Sequence, residues 1–78
     1  MALKELIATI AEALVDEPDQ VEVTEIEREH GSIIELKVSK DDIGKVIGKD
    51  GRTAQSMRTL LMAASTKLGR RAQLDIVD

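Results

Sequence analysis

The chain predicts an α+β fold in which a three-stranded mixed sheet is covered on one face by three helices, in the order helix, strand, strand, short helix, long helix, strand. Three observations predict it. Apolar residues recur at helical spacing over residues 3–14 and 54–68, and they alternate at strand spacing over 32–38 and 72–76. The last two strand patterns are separated by over thirty residues that hold two helical patterns. That is length enough for the right-handed crossover that parallel strands require. With 78 residues, no internal repeat and no linker, residues 1–78 read as a single domain. A core of this size leaves little room for a buried catalytic cavity.

Leu3, Leu6, Ile7, Ile10 and Leu14 form the stripe of an amphipathic first helix, and Pro18 after Asp16-Glu17 closes it off. Val21-Glu22-Val23 alternates as a strand does. Ile26 falls on the opposite parity, so residues 21–28 either hold a bulge or end their regular pairing early. Glu29-His30-Gly31 makes a turn into a second strand, with Ile34, Leu36 and Val38 on one face and Ile33, Glu35 and Lys37 on the other. The two strands form a hairpin, and the second is expected in the middle of the sheet. Glu25, Glu27 and Glu29 read as a solvated strand edge rather than a cation site.

Ser39 is the expected N-cap of the short helix, with Asp42 at the capping-box position. This helix carries Ile43, Val46 and Ile47 up to Gly48. After Gly51 the apolar residues Ala54, Met57, Leu61, Ala64 and Leu68 mark a helix of roughly four to five turns, which Gly69 terminates. Leu60, Met62 and Ala63 lie beside or off that stripe, which is more apolar surface than one packing face needs. The surplus points to a partner helix in a homodimer. Ala72, Leu74 and Ile76 complete the third strand.

Between the two central helices stands Val46-Ile47-Gly48-Lys49-Asp50-Gly51-Arg52. Two glycines three apart let the backbone adopt positive φ and let another molecule come close. The helix that follows aims its free N–H groups and the positive end of its dipole back at the loop. Lys49 and Arg52 add cationic side chains at the same place, so the stretch is a candidate phosphate cradle. Asp50 introduces a carboxylate there. Its expected role is to cap the long helix by accepting a hydrogen bond from an N–H near Thr53.

The net charge of −4 is unevenly distributed. Residues 37–71 hold nine basic and three acidic residues, and the rest of the chain holds two basic and twelve acidic. A basic half centred on the glycine loop attracts a polyanion, and the acidic half limits indiscriminate binding. No cysteine is present, so disulfides, thiolate ligands and a cysteine nucleophile are excluded. His30, the only histidine, has no partner at catalytic or metal spacing. Neither a signal peptide nor a membrane span is legible, and a cytoplasmic location is expected. The reading therefore carries no catalytic residue, no metal and no cofactor.

The run Ile43-Gly44-Lys45-Val46-Ile47-Gly48-Lys49-Asp50-Gly51-Arg52, set between two helices in this element order, resembles the signature of a KH domain of the prokaryotic, type II arrangement. Gly51-Arg52-Thr53-Ala54 leading into Met57-Arg58-Thr59-Leu60 further resembles the small bacterial single-KH RNA-binding proteins of the KhpA type. The resemblance covers essentially the whole chain. It implies a non-catalytic module that holds the backbone of about four single-stranded nucleotides with the glycine loop. It also implies a post-transcriptional regulator or RNA chaperone that forms homodimers, and heterodimers with a larger KH-containing bacterial protein.

The residues expected to meet RNA are Gly48, Lys49, Asp50, Gly51 and Arg52 in the loop, Lys45 and Arg58 as flanking cations, and Ile43, Val46 and Ile47 as one wall of a base groove. The central strand is the expected opposite wall. Aromatic residues are absent, so the stacking on which RRM, OB and cold-shock proteins depend is excluded. A competing reading is a KH-fold protein–protein interaction module with weak RNA binding. No reader of the 2′-OH is recognisable, so single-stranded DNA shares the same expected contacts.

Overall fold

The computed structural model describes residues 2–77. Its element order is α1 (Leu3–Leu14), β1 (Glu22–Arg28), β2 (Gly31–Lys37), α2 (Ile43–Ile47), α3 (Arg52–Leu68) and β3 (Ala72–Val77). Single 3-10 turns at Pro18–Gln20, Lys40–Asp42 and Lys49–Gly51 join them. The strands lie in the order β1-β2-β3, with β1 and β2 antiparallel and β2 and β3 parallel. The expected α+β architecture and the central place of β2 are both found.

α1 buries Leu3, Ile7 and Ala11 and packs against β1, β2 and α3. It ends earlier than expected. The backbone turns extended at Val15, whose side chain is buried, while Leu14 is exposed. Pro18 opens the following 3-10 turn and does not itself stop the helix.

The strand pairing also corrects an expectation. β1 runs without a bulge from Glu22 opposite Lys37 to Arg28 opposite Gly31. Val23 pairs with Leu36 on the helix-covered face, and Ile26 pairs with Ile33 on the other. Ile26 is off parity because the open face carries its own small apolar pair, not because the strand is broken. On the covered face Ile34 and Leu36 are fully buried, and Leu74 lies beside Ile34 in β3.

With Ile7, Val46, Met57 and Leu61 they form one core. Burying each large aliphatic side chain contributes about 1.5–3 kcal/mol relative to leaving it in water. Along α3 the buried positions Ala54, Met57, Leu61 and Ser65 follow a helical stripe, and Gly69 ends the helix in the left-handed conformation. Leu68 was expected in that stripe but is 51% exposed.

Glu27 and Glu29 are exposed on the edge strand and its turn, but Glu25 is not solvated. The register places Glu25 and Glu27 on the covered face, and Glu25 Oε2 accepts hydrogen bonds from Ser32 Oγ at 2.9 Å and Arg70 Nη2 at 2.8 Å. Glu27 lies 3.9 Å from the same guanidinium. The β1–β2 hairpin is thereby clasped to the connection between α3 and β3.

Candidate nucleic-acid interface

α2 has only five residues and hands over directly to the loop. Gly48 has φ 77° and ψ 172°, a combination open essentially only to glycine. Its N–H donates to Gly44 O at 2.8 Å, and Gly51 N–H donates to Gly48 O at 3.1 Å. The chain then takes two left-handed residues in succession, Asp50 at φ 57° and Gly51 at φ 74°, before α3 begins at Arg52. The two glycines face different surroundings. A Cβ on Gly48 would strike the Thr53 side chain, whereas a Cβ on Gly51 would meet nothing within 4 Å. Gly48 lets the loop lie against α3, and the space beside Gly51 is free.

The expected cap is not formed. Gly51 occupies the N-cap position of α3, and no side chain accepts a hydrogen bond from the first turn. Asp50 is exposed and strained at positive φ, with no hydrogen bond or ion pair from its carboxylate among the described residues. A helix N-terminus without a side-chain acceptor presents N–H donors and a partial positive charge. Lys49, Arg52 and Arg58 are exposed around it and along α3.

The groove differs from the one expected. β2 is paired on both edges, so its backbone N–H and C=O groups are already used. The strand with a free edge beside the long helix is β3, and α3 packs directly against it. A cleft of about 290 Å³ runs between them, lined by Arg58, Leu61, Met62, Ala72, Gln73 and Leu74. Met62 thus belongs to the cleft, while Leu60 is 52% exposed outside it.

This arrangement has relatives. A family model described as the KH domain of KhpA/KhpB matches residues 4–76. The chain belongs to that family. It is 54% identical over 76 residues to a protein of Halalkalibacterium halodurans named RNA-binding protein KhpA, covering 97% of this chain and 100% of the relative. It is 56% identical over 73 residues to the protein of that name from Caldanaerobacter subterraneus, covering 94% and 97%. With the Aquifex aeolicus protein of the same name it shares 48% identity over 77 residues, covering 99% and 98%.

Four of the expected site residues are wholly or partly engaged within this KH domain. Val46 is fully buried in the core, so its side chain is not on a groove wall. Ile43 is half-buried against the same core, and Ile47 is half-buried at the end of α2. Lys45 is an ion-pair partner, with its Nζ 3.1 Å from Asp16 and 3.4 Å from Asp42.

Asp42 is the residue that sequence reasoning misplaced. It is 1% exposed and caps nothing in its own helix. Its Oδ2 instead accepts the N–H of Glu17 at 3.0 Å, tying the end of the α1 connection to the start of α2. Burial pushes the Asp42 carboxyl up. The backbone N–H groups of Asp16 and Glu17 and the Lys45 ammonium outweigh that and hold it below its ordinary value. Hydrogen bonds to Asp16 and then Asp42 hold Lys45 above its own. The Ser-x-x-Asp spacing that suggested a capping box carries no mark of a partner twenty-five residues away.

Among the described residues no group of three His, Cys, Asp or Glu side chains is placed to hold a metal ion, and no helix is long and apolar enough to cross a membrane.

Proposed function

We propose that this chain is a non-catalytic single-stranded RNA-binding protein that holds the nucleic-acid backbone at Gly48-Lys49-Asp50-Gly51 and serves as a post-transcriptional regulator or RNA chaperone in the cytoplasm. The observation that carries this reading is the open space over Gly51 at an N-terminus of α3 that no side chain caps. A phosphate there accepts from backbone N–H groups and is flanked by Lys49 and Arg52. Arg58 extends the positive charge into the α3–β3 cleft, where the free edge of β3 offers backbone donors and acceptors to base edges. Lys45 stays with its two carboxylates and acts through the position of α2. Asp50 opposes binding by charge and limits affinity, as does the absence of stacking, which is worth about 1–3 kcal/mol per base.

A weak single site gains from pairing, because two tethered sites multiply avidity. Leu60, 52% exposed on α3 outside the cleft, supports a second copy of this chain, or a larger KH-containing protein, as the partner. The rival reading makes that partner the main ligand and RNA incidental.

The test is titration of short single-stranded RNAs over a salt series for the wild type and Lys49→Asp, with single-stranded DNA as competitor. Three phosphate-facing cations predict a log–log slope of about −2. Lys49→Asp flattens it by about 0.7 or more. Equal, weak and salt-insensitive binding by both proteins overturns the clamp.

A further inference from the structure

At the end of α3 remote from the loop lies a cavity of about 750 Å³, bounded by the hairpin tip and the Gly69–Arg71 connection. We infer that it is a second RNA contact, taking one unstacked nucleotide with its phosphate on Arg28 and Arg71 and its base against Ile33 and His30. This rests on the RNA-binding reading and extends it to a region that the loop does not reach. α3 has seventeen residues, which sets the two sites roughly 25 Å apart.

Four observations support the assignment. First, the charge favours an anion. Arg70 is committed to Glu25 and Glu27, but Arg28 and Arg71 form no salt bridge among the described residues. Glu29 is the one carboxylate on the lining and does not cancel both. Second, the chemistry suits a base. The chain has no Phe, Tyr or Trp, and its only imidazole, His30, stands at this cavity. Imidazole rings and guanidinium planes both stack unpaired bases, and Ile33, on the same open face of the sheet as Arg28, supplies an apolar contact.

Third, the cavity continues the binding cleft. Met62, Ala72 and Gln73 line both, so the two adjoin along the start of β3. Fourth, the walls are held before any ligand arrives. Ser32 N–H donates to Arg71 O at 2.9 Å, and the Ser32 hydroxyl, donating to Glu25, also accepts from Arg70 Nη2 at 3.1 Å. Little ordering is left to oppose binding.

The experiment uses two RNA lengths, about four nucleotides, the span a KH loop clamps, and roughly a dozen. Wild type, the double variant Arg28→Gln/Arg71→Gln, His30→Ala and Lys49→Asp are titrated over a salt series. All of these side chains are exposed, so the variants keep the fold. The expected result is that the double variant binds the short RNA as wild type does and the long RNA more weakly. Its salt slope on the long RNA falls by about 0.7, for the one phosphate no longer held. His30→Ala weakens only the long RNA.

Wild-type binding of both lengths by the double variant overturns the inference and leaves the loop clamp standing. So does an equal loss at both lengths, which would mean a general charge effect, or loss of a protein partner with RNA binding intact, which would make the cavity a peptide site. If Lys49→Asp changes nothing at either length, it is the loop reading that fails. The length-dependent loss in the double variant still decides the cavity.

Discussion

Replacing each loop glycine by alanine tests packing against backbone strain, because both positions strain an L-residue but only Gly48 lacks room for a Cβ. At Gly51 the new methyl meets nothing within 4 Å, and the cost is that of holding an L-residue at φ 74°, about 1–2 kcal/mol. At Gly48 the methyl would collide with Thr53 Oγ1 and would stand 2.6 Å from Thr53 Cβ and 2.8 Å from Thr53 N. The backbone there is also in a region costing about 1–3 kcal/mol for other residues. Overpacking adds about 1–3 kcal/mol, so Gly48→Ala costs about 2–6 in all.

A domain of this length has about 4–12 kcal/mol of stability to lose. With each kcal/mol moving Tm by about 4–8 °C, Gly51→Ala lowers it by roughly 4–16 °C. Gly48→Ala approaches global unfolding. Thr53→Ala does not rescue it, since the Cβ and N contacts survive the loss of the hydroxyl. The assay is thermal and urea unfolding followed by far-UV circular dichroism, as the chain has no aromatic residue to report fluorescence. Equal destabilisation by the two substitutions, or full rescue by Thr53→Ala, would refute the division of labour between the glycines.

Asp42→Asn should lower Tm more than Asp16→Asn, because Asp42 is 1% exposed and holds a backbone N–H, whereas the Asp16 side chain is 76% exposed. The Asp42 carboxyl is held below its ordinary value of 3.8, so its contribution is complete above that pH and lost as pH falls through the lower, folded value. Acid titration of Tm should therefore flatten in Asp42→Asn. Ile34→Ala, emptying a fully buried site on the covered face, should cost about 2–5 kcal/mol in urea unfolding. Ile33→Ala on the half-buried open face should cost far less. Leu60→Lys should reduce the mass in solution to that of a monomer and leave the short-RNA salt slope unchanged; an unaltered dimer places the interface elsewhere.

Much of the fold could be read from periodicity, because α1, β2 and α3 are long enough for their apolar residues to define a face. α2 is too short for that. Its five residues did not reveal that Val46 turns wholly inward while Lys45 turns toward Asp16 and Asp42. Long-range partners were equally illegible. Glu25 looked like an edge charge until folding brought Arg70 to it from forty-five residues away. The glycine loop was found because its backbone demands are written in residue type. Which strand keeps a free edge was not legible, because β2 and β3 show the same alternation and only the order of strands tells them apart.

The parallel pairing of β2 with β3 has a consequence for how the molecule is made. The glycine loop and its flanking residues, from Ile43 to Arg58, lie inside the crossover that joins these two strands, and β3 itself forms one wall of the cleft. Until Ala72–Val77 have left the ribosome, β2 carries an unpaired apolar edge, and the hairpin alone is marginal in water. A nascent chain stalled short of Ala72 is therefore both without the α3–β3 cleft and open to edge-to-edge association. Completion of the last strand covers that edge and closes the cleft in the same step.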